Sequence, residues 1–248
     1  MSNADRYLEK EKMLLRWLLF FDYTNRKIVS NLLGVKDGGL SNFYRSLISK
    51  KYIEMVQDPI SISANKIILL TKSGFEYAIT INDDIDIESI KHKKTIPPTM
   101  VRHQIKLQLY LVSEGLNSYT VVSDKLLRKR FNNNNSVIPD CIAVIDGERV
   151  GIEMELTRKK PARIYFKLEQ QVNSVAENKD SVCSSFIYIF DNKSLRDNYQ
   201  RLFDCDKWPL IEMSKSRYYQ RESIESNFAF SLSENVRAKF KFIFKGDL

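Results

Sequence analysis

The run VIPDCIAVIDGERVGIEMEL, residues 137–156, leaves the middle of this chain little freedom. Asp146-Gly147 tolerates positive φ at both positions and stands between two apolar segments, so the stretch predicts a β-hairpin closed by a two-residue type I′ turn. Such a turn pairs Ile145 with Glu148 and, carried back along the strands, sets Asp140 opposite Glu153. Side chains alternate along a strand. Asp140, Glu153 and Glu155 therefore share one face, while Cys141, Ala143, Ile145, Val150, Ile152, Met154 and Leu156 share the other. The hairpin is expected to turn one face to a core and to hold its acids on the other.

Carboxylates this close repel unless a proton or a cation is shared, and a hard divalent ion with oxygen ligands relieves the repulsion. Mg²⁺ or Mn²⁺ is the expected ion, with Asp140, Glu153 and Glu155 as ligands. Thr157, Arg158, Lys159 and Lys160 leave the strand, and Pro161 opens a helix at its first position. A lysine in this segment either neutralises charge on a scissile phosphate or orients an attacking water, which is equipment for phosphodiester hydrolysis. An acidic, solvated hairpin face is the plainer reading of the same pattern.

At 248 residues, 43% of them hydrophobic and 28% charged, the chain has the composition of a folded soluble protein, and its length favours two domains. Lys and Arg exceed Asp and Glu by 39 to 31, a net charge of +8 that favours a polyanionic partner. Cys141, Cys183 and Cys205 are odd in number and form no CxxC pair, so they indicate neither a disulfide framework nor a zinc site, and a reducing cytoplasm is expected. The run MLLRWLLFF is too short to cross a bilayer and holds Arg16, so no membrane insertion and no export signal are expected.

The N-terminal third reads as helices. Leu8, Met13, Leu14, Trp17, Leu18 and Phe21 recur at helical spacing from Ala4 to about Asp22. Thr24-Asn25 offers a cap for RKIVSNLLG, and a third helix, GGLSNFYRSLISKKYI, is entered through Gly38-Gly39. YIEMVQ and KIILLT come next as short strands, then a helix TKSGFEYAIT capped by Thr71 or Ser73. This order predicts a winged helix-turn-helix. ILLTKSGFEYA resembles the LTxxGxxxA segment of bacterial winged-helix DNA-binding domains, over residues 4–81. On that reading the third helix offers Ser41, Asn42, Arg45, Ser46, Lys50 and Lys51 to base edges and phosphates in a major groove.

Residues 82–98 mix an acidic run, a basic run and Pro97-Pro98, and are expected to mark the boundary after a winged helix over 1–82. The second domain, 99–248, would open with the helix MVRHQIKLQLYLVSEGL, stopped by Gly115 and carrying His103, a packing residue or a group that positions a phosphate or water. YTVVSD reads as a strand, and Arg128, Lys129 and Arg130 of KLLRKRF are candidates to face a DNA backbone. Beyond the hairpin, PARIYFKLEQQVNSVAEN and SLRDNYQRLFDC read as helices, and SSFIYIFDN and PLIEMS as strands. The aromatic and basic tail from Arg217 is either a final strand pair or a DNA-facing edge.

IPD followed by GIEMELTRKKPARIYFKLEQQ resembles the PD-(D/E)xK nuclease fold, an α+β or α/β domain with a central mixed sheet flanked by helices. The E-x-E-L-T-x-K form, with RHQIKLQLYL before it, looks most like replication-relaxation and MobC-type plasmid mobilisation proteins. The resemblance implies Asp140 as first metal ligand and Glu153 as second. It puts Glu155 where lysine is usual, and makes Lys159 a displaced lysine. His103 and Asp124 match accessory positions. It further implies a bacterial, cytoplasmic relaxase that binds double-stranded DNA at a plasmid transfer origin and nicks one strand, with accessory mobilisation and coupling proteins as partners. The alternative is a regulator of plasmid replication or transfer whose nuclease fold does not cut. A restriction-type enzyme would instead leave linear product. A three-histidine relaxase site cannot be assembled from His92 and His103 alone.

Overall fold

The computed structural model describes residues 2–59, 66–85, 90–92, 97–130, 138–177, 182–214, 217–220 and 232–246. The chain is α+β and divides into two compact units, Met1–Arg130 and Phe131–Leu248.

The first unit opens with α1 (Asn3–Phe21), started by a capping box between Ser2 and Asp5. Its buried stripe of Leu14, Leu15, Trp17, Leu18 and Phe21 packs the helix into the core, which stabilises it more than propensity could. After α1 come β1 (Tyr23–Asn25) and α2 (Arg26–Leu32), whose cap is Asn25, its side chain accepting from the amide of Ile28. A 3₁₀ turn at Asp37–Leu40 leads into α3 (Ser41–Ser49). Two antiparallel strands, β2 (Ile53–Gln57) and β3 (Lys66–Leu70), come next, and β1 adds to β3 to give the order β1-β3-β2. Helix α4 (Lys72–Ile81) is capped by Thr71, not Ser73: the Thr71 hydroxyl accepts from the amide of Gly74.

Helix α5 (Pro98–Ser113), strand β4 (Val121–Ser123) and helix α6 (Asp124–Arg130) complete this unit. The compact division therefore falls after residue 130 and not within 82–98. The cause is visible in α5. Val101 joins a core cluster with Tyr23, Ile67 and Leu69, while buried Gln108 accepts from Trp17 Nε1 at 2.8 Å and donates to the carbonyl of Tyr23 at 2.9 Å. An amide satisfied at both ends inside a core fixes its helix to the elements it bonds.

The second unit contains the expected hairpin. Strands β5 (Cys141–Ile145) and β6 (Glu148–Glu155) are antiparallel with Ile145 against Glu148 and Cys141 against Ile152. Asp146 and Gly147 have φ of 52° and 81°, the double positive φ that a I′ turn needs. Helix α7 (Pro161–Glu177) crosses over to β7 (Ser185–Phe190), parallel to β6. Helix α8 (Lys193–Phe203) is the next element. Strands β8 (Ile211–Ser214) and β9 (Arg217–Gln220) form a separate antiparallel pair. A short helix α9 (Glu234–Arg237) leads to β10 (Phe240–Phe244), parallel to β7. Within this unit the sheet is mixed and runs β10-β7-β6-β5. The tail thus supplies two strands that pair with other elements and not with each other; Phe228 and Phe230 lie outside the described residues. Stacked Tyr188, Phe190 and Phe242, with Tyr199 and Phe203 of α8 against them, form the aromatic centre.

Candidate acidic cluster and helix face

Strand β6 is buried on both faces from Val150 onward, so the solvated acidic face, the plainer reading of the pattern, is not what forms. Glu153 and Glu155 are each only 2% exposed. A central strand with parallel and antiparallel neighbours is covered on both sides, so alternation here separates two interiors and not core from solvent.

What fills the acidic interior comes from α7. Its inward stripe is Ile164, Leu168, Val172 and Val175, all buried, and Lys167 and Gln171 fall within the same stripe. Lys167 Nζ lies 2.8 Å from Glu153 Oε2 and 3.3 Å from Glu155 Oε1. Gln171, one turn on, donates to Glu153 Oε1 at 2.8 Å and accepts from the hydroxyl of Tyr188. Lys159, in the segment after β6, donates to Glu155 Oε1 at 2.6 Å. Asp140, directly before β5, accepts from the amide of Met154 at 2.8 Å through Oδ2, which places it beside Glu153 as the hairpin register requires. The structure therefore brings Asp140, Glu153, Glu155 and Lys159 together and adds Lys167 and Gln171.

Burial pushes the Glu153 carboxyl up to about 7; Lys167 opposes the rise, and the charge of Asp140 reinforces it. Burial alone would weaken the Lys167 ammonium, but the charge of Glu153, followed by Tyr188, Glu155 and Asp140, outweighs it and holds Lys167 protonated well above the usual lysine range. Tyr188 is held far above the usual phenol range, by burial first. Burial and the neighbouring carboxylates thus favour the protonated form of Glu153 against the pull of Lys167.

A divalent ion ligated by Asp140, Glu153 and Glu155 does not fit this arrangement. All four glutamate oxygens are engaged by Lys159, Lys167 and Gln171. Among the described residues no group of three His, Cys, Asp or Glu side chains is placed to hold a metal ion. His103 lies on α5 and Asp124 opens α6, both in the first unit.

The second candidate surface is α3. Phe43, Tyr44 and Leu47 face inward, leaving Ser41, Asn42 and Arg45 exposed, with Lys51 exposed just beyond the helix. Arg45 Nη1 is 3.3 Å from Asn42 Oδ1. Lys50 is spoken for: its Nζ lies 2.8 Å from Oε2 of buried Glu11 on α1, over the rings of Tyr7 and Tyr52. Ser46 accepts from the Tyr7 hydroxyl at 2.7 Å. Both contacts fasten α3 to α1 from behind the exposed face. Arg128, Lys129 and Arg130 belong to α6, but their side chains lie outside the described residues.

Lys167, Gln171 and Glu11 escaped sequence reading. The available signal was a polar pair four apart inside the apolar stripe of α7, a pattern that solvated helix faces also produce. Neither a protein-family model nor a curated protein sequence matches the chain. No helix among the described residues is long and apolar enough to cross a membrane.

Proposed function

We propose that this chain is a double-stranded DNA-binding protein, its first unit a winged helix and its second a PD-(D/E)xK-like domain that does not cut, acting as a regulator of plasmid replication or transfer in the bacterial cytoplasm. The order α1-β1-α2-α3-β2-β3 with sheet order β1-β3-β2 supports the winged helix. The hairpin, crossover and parallel β7 support the nuclease-like fold. One observation carries the reading: α3 is fixed to α1 on one side and presents Ser41, Asn42 and Arg45 on the other, with Lys51 at its end. Short polar and basic side chains on a rigid helix suit base edges and phosphates, and the chain's net charge of +8 favours approach to DNA. Gel-shift titration of a duplex carrying the plasmid's own transfer origin tests it. Retardation that persists over unrelated competitor DNA is expected; no retardation at low salt defeats the reading.

A second reading keeps strand cleavage by a relaxase, working with accessory mobilisation and coupling proteins. Asp140, Glu153 and Glu155 meeting at the end of β6 is the observation behind it, and it requires Lys167 to leave the glutamates before an ion could be ligated there. Supercoiled origin plasmid incubated with Mg²⁺, Mn²⁺ or EDTA separates the two readings. Open circles formed by wild type and not by Asp140→Ala establish nicking, whereas binding without cutting under every condition leaves the regulator.

A further inference from the structure

We propose that Lys167 is the resident counter-cation of the acidic cluster: its ammonium sits between Glu153 and Glu155 where carboxylates alone would demand a divalent ion, so the second unit is complete without metal. The inference is independent of DNA binding, since it uses only the geometry of α7 over β6.

Three observations meet in it. The ammonium spans both glutamates, at 2.8 Å and 3.3 Å, and so does what a bridging metal does, pulling two like charges toward one positive centre. Its surroundings are built to keep it there. The Tyr188 ring lies 5.5 Å from Nζ, a cation–π contact, and Gln171 links Tyr188 to the remaining Glu153 oxygen. Finally, the lysine is held by its element: Ile164 and Leu168, its neighbours on the stripe, are 1% and 0% exposed, so α7 cannot withdraw Lys167 without uncovering the core. A divalent ion entering beside the ammonium would meet a like charge at contact distance, and exchange for Lys167 would first have to break its contacts with both glutamates.

The test uses the full chain freed of metal with EDTA, then titrated with Mn²⁺ while free Mn²⁺ is counted by electron paramagnetic resonance and the melting temperature is followed. Wild type is expected to bind no stoichiometric Mn²⁺ up to about 1 mM, the weak end of carboxylate cation sites, and to melt at the same temperature in Mn²⁺ and EDTA. Lys167→Gln, which leaves Glu153 without a cation and Glu155 with Lys159 alone, is expected to melt at least about 5 °C lower in EDTA, to take up one Mn²⁺, and to regain part of the loss. The double variant Lys167→Gln with Glu153→Gln restores the wild-type charge balance and is expected to melt alike with and without Mn²⁺. The proposal is overturned if wild type binds one Mn²⁺ that Asp140→Asn abolishes, or if folded Lys167→Gln is as stable as wild type in EDTA or takes up no ion. Should Lys167→Gln not fold, the wild-type titration decides by the same criterion, and the double variant reports whether neutralising Glu153 restores folding.

Discussion

A carboxyl that titrates near neutrality makes stability depend on pH, and Glu153 sets the sign. Its folded value of about 7 stands above the ordinary 4.5, so between these values the folded chain keeps a proton that the unfolded chain has released. Folding is then opposed increasingly as pH rises through the window, by up to about 3 kcal/mol if the whole shift is expressed. Lys167, raised from an ordinary value of 10.5, stays protonated in both states across that window and does not reverse the trend. Urea unfolding at a series of pH values between about 5 and 8 should therefore show wild type losing stability relative to Glu153→Gln. A difference that is flat, or that grows in favour of wild type as pH rises, rules this out. The closeness of Asp140 and Glu153 was legible because a two-residue turn fixes register and register fixes cross-strand neighbours. The partners of the acids were not, since a lysine and a glutamine on a helix read as surface until the crossover lays that helix over the strand.

At the scale of elements, Gly74 shows how tightly α4 enters the first unit. A Cβ at this position would lie 1.7 Å from the carbonyl oxygen of Tyr52, which cannot retreat because it accepts from the amide of Thr71 at 3.1 Å as β2 and β3 run together. Gly74→Ala therefore costs about 3 kcal/mol or more through overpacking against backbone, and thermal melts followed by circular dichroism should show it. Lys72→Ala, 80% exposed on the same helix, should leave the melt within about 0.5 kcal/mol of wild type. An unaffected melt for Gly74→Ala would mean that α4 does not approach β2 this closely. The helices and the hairpin were legible from period and turn chemistry, and their caps nearly so, Thr71 against Ser73 being settled by one amide. The extent of the first unit was not. Composition marks 82–98 as a loop, but a loop ends a compact unit only if the next helix packs elsewhere, and Gln108 bonds α5 back to Trp17 and Tyr23.

For the whole molecule, the proposed DNA binding together with the excess of positive charge predicts a salt-sensitive affinity, and the structure divides the basic residues near α3 into two kinds. Arg45 and Lys51 are exposed, whereas the Lys50 ammonium is held by buried Glu11. Each phosphate contact removed should flatten the plot of log affinity against log salt by about 0.9. Replacing Arg45 and Lys51 together should thus reduce the slope by about 2 with little change in stability. Lys50→Ala should do the reverse. It leaves Glu11 buried at 1% exposure with its charge uncompensated, lowering stability by about 1–3 kcal/mol after allowance for the lysine's partial exposure, while the slope stays near that of wild type at temperatures where the variant is folded. Fluorescence anisotropy over a range of salt, paired with melts of each variant, separates the two kinds of basic residue. If Lys50→Ala flattens the slope and leaves the melt untouched, the Glu11 pair is not what holds that side chain, and the assignment of α3 as a helix anchored from behind fails with it.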